Sequence, residues 1–459
     1  MSIKQILLVF GLLLCNFVYS QNKQILFGFA EMPNTLMVNP GAETNFKYHG
    51  GIPALSGFSI NIGASEGNLA DLFLTDNGNI NTKFENLTNK LTNRDFLSFN
   101  MQIDVLNGGY RLDEKAYLSF GMYQEIDFIG YYPKDVVELL YYGNQPFINK
   151  TAHFSDLKFR GEMLGVIHAG LSYKMNKKLN VGGRFKLYSG SLHLSSNNNG
   201  GTFSTFEGVN NVYRHNLSNI NVNANTSGFF DENENLNVGI KDALGNTLLS
   251  KNIGVGVDVG FTYHYSPQIE FTGSVLDVGF VSYSKSNRNL TVTGNHQFDG
   301  INLLYDSNNN DYWGELDREL NTNIPRESNT DSYVVWRPIK LNGAVRYSFG
   351  RARINKECYD ETYKEYYNNA VGLQLFAITR PLSTQVAATV FLEKSLSENF
   401  HAKFTYTVDD FSMTNVGVGV STQMGIFQMY GMVGNVLKLS DLTQAHSASL
   451  QFGFNLIFN

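Results

Sequence analysis

One pattern constrains this chain more than any other: two residue classes alternate without interruption for thirteen residues. From Ile253 the odd positions are Ile253, Val255, Val257, Val259, Phe261, Tyr263 and Tyr265, and between them stand Gly254, Gly256, Asp258, Gly260, Thr262 and His264. Successive side chains of a strand leave on opposite faces, so one face is apolar throughout and the other is small or polar. Soluble strands run to about 5–6 residues, whereas a strand that crosses a bilayer at a tilt needs about 9–11. The Tyr263–Tyr265 pair suits an aromatic girdle at one interface.

The C-terminus repeats the device. Ala448, Leu450, Phe452, Phe454, Leu456 and Phe458 share one face, and Ser449, Gln451, Gly453 and Asn455 the other. Shorter copies set Leu179, Val181, Phe185 and Leu187 against Asn180, Arg184 and Lys186. Others set Leu341, Val345, Tyr347 and Phe349 against Asn342 and Arg346. The uncharged run Asn415 to Leu437 is long enough for a membrane helix. It holds five glycines, however, and alternates Val416, Val418 and Val420 with Gly417, Gly419 and Ser421, which predicts two strands turning near Gly425.

Counting such segments gives about fourteen strands: 54–64, 97–110, 115–130, 159–174, 179–196, 251–266, 269–284, 333–349, 369–379, 384–395, 399–409, 413–424, 426–437 and 446–458. The count is even, as single-chain bacterial barrels require. With both termini periplasmic, the long connections 65–96, 131–158, 197–250 and 285–332 all fall outside, and most periplasmic ones are short turns. The exception is 350–368, which carries eight charges and several tyrosines. The expected fold is therefore all-β: a transmembrane antiparallel barrel with an N-terminal plug-like segment. Composition agrees. The chain has 43 Gly, 34 Phe and 25 Tyr with 17% charged residues, and a mean hydropathy of −0.20 is too polar for a helical membrane bundle but fits strands with one wet face.

Residues 1–20 read as a cleaved secretory signal, with Lys4, an apolar run from Ile6 to Leu14, and Val18 and Ser20 at −3 and −1 before Gln21. Removal of Cys15 leaves Cys358 alone, so neither an internal disulfide nor a cysteine metal site is available. Residues 21–50 precede the first strand and are expected to plug the lumen, with Asn39-Pro40-Gly41 as a fixed turn, because proline sets its own φ and biases its predecessor. Residues 51–459 make the barrel. The predicted location is the outer membrane of a Gram-negative cell, with outer-membrane lipid around the wall.

A resemblance can be set beside this reading. Asn39-Pro40-Gly41-Ala42, the segment before the first strand and the strand count together resemble the long-chain fatty-acid transporter superfamily, which includes the shuttle barrel of type IX secretion. More closely, Met37 to Glu43, Gly51 to Gly57, Leu106 to Arg111, Tyr117 to Gly121 and Tyr132 to Asp135 resemble an uncharacterised outer-membrane barrel family of Bacteroidota.

Chemistry is sparse. No nucleophile–base or paired-acid motif stands out, no histidine spacing suits a metal, and glycines 254, 256 and 260 lie within a strand rather than before a helix. An enzyme, a cofactor and a metal are not expected, and a net charge of −6 offers no footprint for nucleic acid. Glu162, Arg184, Lys186, Asp258, Arg346 and Lys403 fall on polar strand faces. They line a selectivity path or pair with one another and the plug, and pairing is the better expectation because buried charges are rarely left alone. In the periplasmic loop, Arg353, Tyr359, Tyr363 and Tyr366 have the composition of a recognition surface. That loop favours a noncatalytic subunit of a larger envelope assembly (secretion, surface-protein delivery or barrel insertion), docked to periplasmic or outer-membrane protein subunits. The alternative is a transporter of hydrophobic small molecules, which the superfamily resemblance implies.

Overall fold

A computed structural model describes residues 23–29, 32–66, 80–207, 213–230, 247, 250, 252–298, 318, 326–351, 367–409, 411, 413–438 and 446–458. Fourteen antiparallel strands close into a barrel. They are Tyr48–Gly51 continued by Phe58–Ala64, then Phe96–Arg111, Ala116–Tyr131, Phe159–Lys174, Leu179–Ser196, Asn252–His264, Ile269–Tyr283 and Lys340–Arg351, the last extended outward by Tyr333–Trp336. Tyr367–Ile378, Gln385–Ser397, Phe400–Val408, Asn415–Met424, Phe427–Gly434 and Ser447–Phe458 complete the wall. Closure is made by the last strand, where Phe452 lies opposite Phe58 and Phe458 opposite Tyr48.

Alternation decides which way each side chain points. Val255, Val257, Val259 and Phe261 are exposed on the outer wall, while Asp258, Thr262 and His264 are buried in the lumen. Exposed Tyr110, Tyr173, Tyr263, Tyr265 and Tyr347 gather near the periplasmic ends, and Trp336 stands at the outer end. That is a lipid-facing belt with interfacial aromatics. The uncharged run over 415–437 is two strands meeting at Gly425, whose φ of +62° suits a residue without Cβ. No helix among the described residues is long and apolar enough to cross a membrane.

Two departures from the sequence reading have physical causes. The first strand starts earlier than residue 54 and pauses over residues 52–57, where Pro53 lacks an N–H and Ala54 sits at φ +62°. The pause lets the Ser56 carbonyl accept from Asn34 Nδ2 at 3.0 Å. The outer connections 197–250 and 285–332, expected as loops, contain strands Gly200–Glu207, Tyr213–Ser227 and Asn287–Phe298, which extend the wall outward. Ile220, Val222 and Ala224 alternate there with asparagines, a weak apolar rhythm that still packs Leu217 and Ile220 with Phe147 and Phe203.

Within Ile269–Tyr283 the alternation breaks at Asp277, which lies at φ +61°. The register slips between Val257 and Val259, so Leu276 and Asp277 together face Asp258. This is a β-bulge, and it turns an extra carboxylate into the lumen.

Candidate functional site: the plugged lumen

Residues 32–47 run through the lumen as irregular backbone around a short 3-10 turn, Pro33–Met37. Such backbone has few partners of its own, yet its buried carbonyls need donors. The wall supplies them. Arg184 donates to the carbonyls of Leu36 and of Met37, the latter at 3.3 Å. Ser274 Oγ reaches Val38 O at 2.6 Å, and Asn180 Nδ2 reaches Gly41 O and Ala42 O at 3.0 and 3.1 Å. Ser172 also reaches Ala42 O, and Arg111 donates to Thr44 O. Farther up the lumen, Lys403 Nζ holds Phe27 O at 2.8 Å.

Asn39, Pro40 and Gly41 form a turn in which Asn39 Oδ1 accepts from Gly41 N at 2.9 Å and Asn39 Nδ2 donates to Phe261 O at 3.1 Å. The turn seats on Gly182 and Gly260, which are register partners on neighbouring strands. A Cβ on Gly182 would collide with the Pro40 carbonyl, and one on Gly260 with the Asn39 side chain.

The charges form a chain. Arg184 pairs with Asp258 (3.2 Å), which also takes Lys186 (2.8 Å); Lys186 meets Asp277 (2.6 Å), and Asp277 meets Lys340 (2.9 Å). Lys340 meets Glu125 (3.2 Å), Glu125 meets Arg337 (2.7 Å), and Arg337 bonds Glu162, which also holds Arg160 at 3.1 Å. Arg346 stands apart with Glu393 (3.1 Å), which Lys403 shares at 3.4 Å. All six lumen charges read from the sequence are thus paired. Glu125, Asp127, Arg337, Lys340 and Arg380 were missed. Glu125 and Asp127 continue the inward series Tyr117, Ser119, Gly121 and Tyr123, so alternation could have found them, whereas Pro338 interrupts the rhythm beside Arg337 and Lys340.

The upper end of the plug is apolar. Ile25, Leu26, Phe27, Phe29, Met32 and Val38 cluster with Tyr430 and Met432. Lys23, at the tip, bonds Gln102, and burial draws its ammonium down to about 8 against the pull of Asp104. Above the tip lies a water-sized cavity of about 20 Å³. Among the described residues no cluster of His, Cys, Asp and Glu could hold a metal. Arg353, Tyr359, Tyr363 and Tyr366 lie outside the described residues.

Wall, belt and filled lumen define an outer-membrane β-barrel that carries its own N-terminal plug. The family described as "Family of unknown function (DUF5723)" matches residues 40–434, and the chain belongs to it. No curated protein matches the sequence. Similar solved structures include the toluene transporter TbuX of Ralstonia pickettii, at 11% identity and TM-score 0.41 over 93% of this chain and 94% of that one. They also include the toluene transporter TodX of Pseudomonas putida, at 9% and 0.38 over 96% and 97%. A FadL homologue of Pseudomonas aeruginosa matches at 9% and 0.40 over 94% of each chain. The expectation of a noncatalytic subunit of an envelope assembly is corrected here: the similar solved structures include toluene transporters and a monoaromatic hydrocarbon channel, and the loop that suggested docking lies outside the described residues.

Proposed function

We propose that this barrel carries small hydrophobic molecules across the outer membrane and catalyses no reaction, with residues 1–20 removed on export and outer-membrane lipid around the belt. The observation that carries the reading is the apolar cluster of the upper plug, Ile25, Leu26, Phe27 and Phe29 against Tyr430 and Met432, set in a lumen that elsewhere holds a chain of paired charges. A barrel that passed ions or sugars gains nothing from a greasy surface at its closure, whereas an apolar solute binds there by burying surface.

The test is uptake of ethylbenzene into proteoliposomes holding the full chain. Saturable uptake above empty vesicles is expected, and Ile25→Asn with Phe29→Asn should reduce it at least fivefold. Uptake equal to that of empty vesicles would overturn the proposal.

A further inference from the structure

The cavity above the plug tip does not share the apolar character of the cluster below it. Its walls are Ser59, Ile60, Asn61, Asn100, Thr405, Thr407, Ser449 and Gln451, and its floor is Lys23, Gln24 and Ile25. Two residues along the first strand from Asn61, the ring of Phe411 lies over Gly63 and packs on Phe96 at 5.5 Å between centroids. Phe96, Ile129, Tyr131 and Phe411 form an aromatic cap there. A hydroxyl- and amide-lined chamber therefore sits between an apolar cap and an apolar plug.

Ser59 Oγ is buried, lines the chamber and has no hydrogen-bond partner among the described residues. An unanswered buried hydroxyl costs about 1–3 kcal/mol, and a ligand atom that bonds it recovers that cost. The charged groups at and beside the chamber already have partners. Lys23 is engaged by Gln102, Asn100 donates to Asp127 at 3.2 Å, and Asp127 is held by Arg380 at 2.5 Å.

We infer that this chamber seats the uncharged hydroxyl head of a molecule whose remaining body is apolar and lies over Ile25. The inference rests on the transport reading and narrows it. Bare hydrocarbons leave Ser59 unanswered. A carboxylate would have to draw Lys23 away from Gln102, and an amine adds a like charge beside Lys23. A head of one heavy atom and its hydrogen fits about 20 Å³, since a single water needs roughly 10–15 Å³.

Four probes that share one ring test it: ethylbenzene, 2-phenylethanol, phenylacetate and phenethylamine, titrated calorimetrically into the full chain in nanodiscs. The alcohol should bind about tenfold more tightly than each of the others, the worth of one satisfied buried hydrogen bond. Ser59→Ala removes a hydroxyl that bonds nothing among the described residues, so the fold should persist, and it should bring the alcohol to within about threefold of ethylbenzene. If ethylbenzene binds as tightly as the alcohol, or Ser59→Ala leaves the preference intact, the head site is wrong and the transport reading stands. Tightest binding by phenylacetate or phenethylamine overturns the uncharged head. If none of the four binds, both readings fall together.

Discussion

Replacing Gly182 by alanine should undock the plug turn and leave the barrel standing. The added Cβ meets the Pro40 carbonyl and the Gly41 nitrogen, both backbone, so neither can swing aside. Relief requires the turn to lift off the wall. Lifting it breaks Asn39 Nδ2 to Phe261 O (3.1 Å), Asn180 Nδ2 to Gly41 O (3.0 Å) and to Ala42 O (3.1 Å), and Ser274 Oγ to Val38 O (2.6 Å). At about 1 kcal/mol each these sum to roughly 4 kcal/mol, close to three decades in the docked-to-undocked ratio. Gly183 is the control. Its Cβ would meet only Asp258 O at 3.9 Å, an ordinary contact, so Gly183→Ala should leave docking unchanged. Hydrogen exchange over residues 33–44 in detergent reads the difference, and heat-modifiable migration confirms that the wall stays closed. If Gly182→Ala protects those amides as well as Gly183→Ala does, the seating argument is refuted.

Three further outcomes follow from the same geometry. Arg184→Met removes the donor to Leu36 and Met37 carbonyls and one partner of Asp258, and should cost about 3–5 kcal/mol of thermal stability by circular dichroism. Asp277→Asn leaves Lys186 and Lys340 without their shared carboxylate and should cost about 3 kcal/mol in the same assay, despite any relief at φ +61°. The third concerns Lys23, whose docked value near 8 lies below its ordinary 10.5. An undocked tip holds the proton over that interval and a docked one has shed it, so docking strengthens as pH rises from 8 to 10.5. Exchange at residues 23–29, corrected for intrinsic rates, should therefore slow between pH 7.5 and 9.5.

The wall was legible because its rule is local. A lipid-facing strand must alternate, and Ile253 to Tyr265 or Ala448 to Phe458 cannot alternate that long for another reason. The rule failed where the backbone leaves the pleat. Pro53 and Ala54 hid the start of the wall, and Pro338 hid Arg337 and Lys340. Asp277 registered as a fault in the pattern, but its meaning is two-stranded: only the facing Asp258 shows that the fault is a bulge. The chamber was illegible for a stronger reason. Ser59, Asn100, Thr405 and Gln451 come from four strands far apart in sequence, and each alone is an ordinary polar position on an inward face.

How the wall holds the plug also bears on what can move. From Leu36 to Thr44 the barrel grips main-chain carbonyls through Arg184, Ser274, Asn180, Ser172 and Arg111, a grip indifferent to the plug's side chains except at Asn39 and the small residue Gly41. The tip is held differently: one carbonyl bond from Lys403, the bonds of Lys23 and Gln24, and otherwise apolar packing of Ile25, Leu26 and Phe29. Directional bonds to buried carbonyls cost heavily when broken, whereas an apolar ligand can replace apolar packing at little net cost. A hydrophobic solute therefore competes with the wall for the tip but not for the turn. The physics divides the plug into a fixed seat over residues 36–44 and an exchangeable tip over 23–29, and on the transport reading proposed above the first event would fall at Ile25.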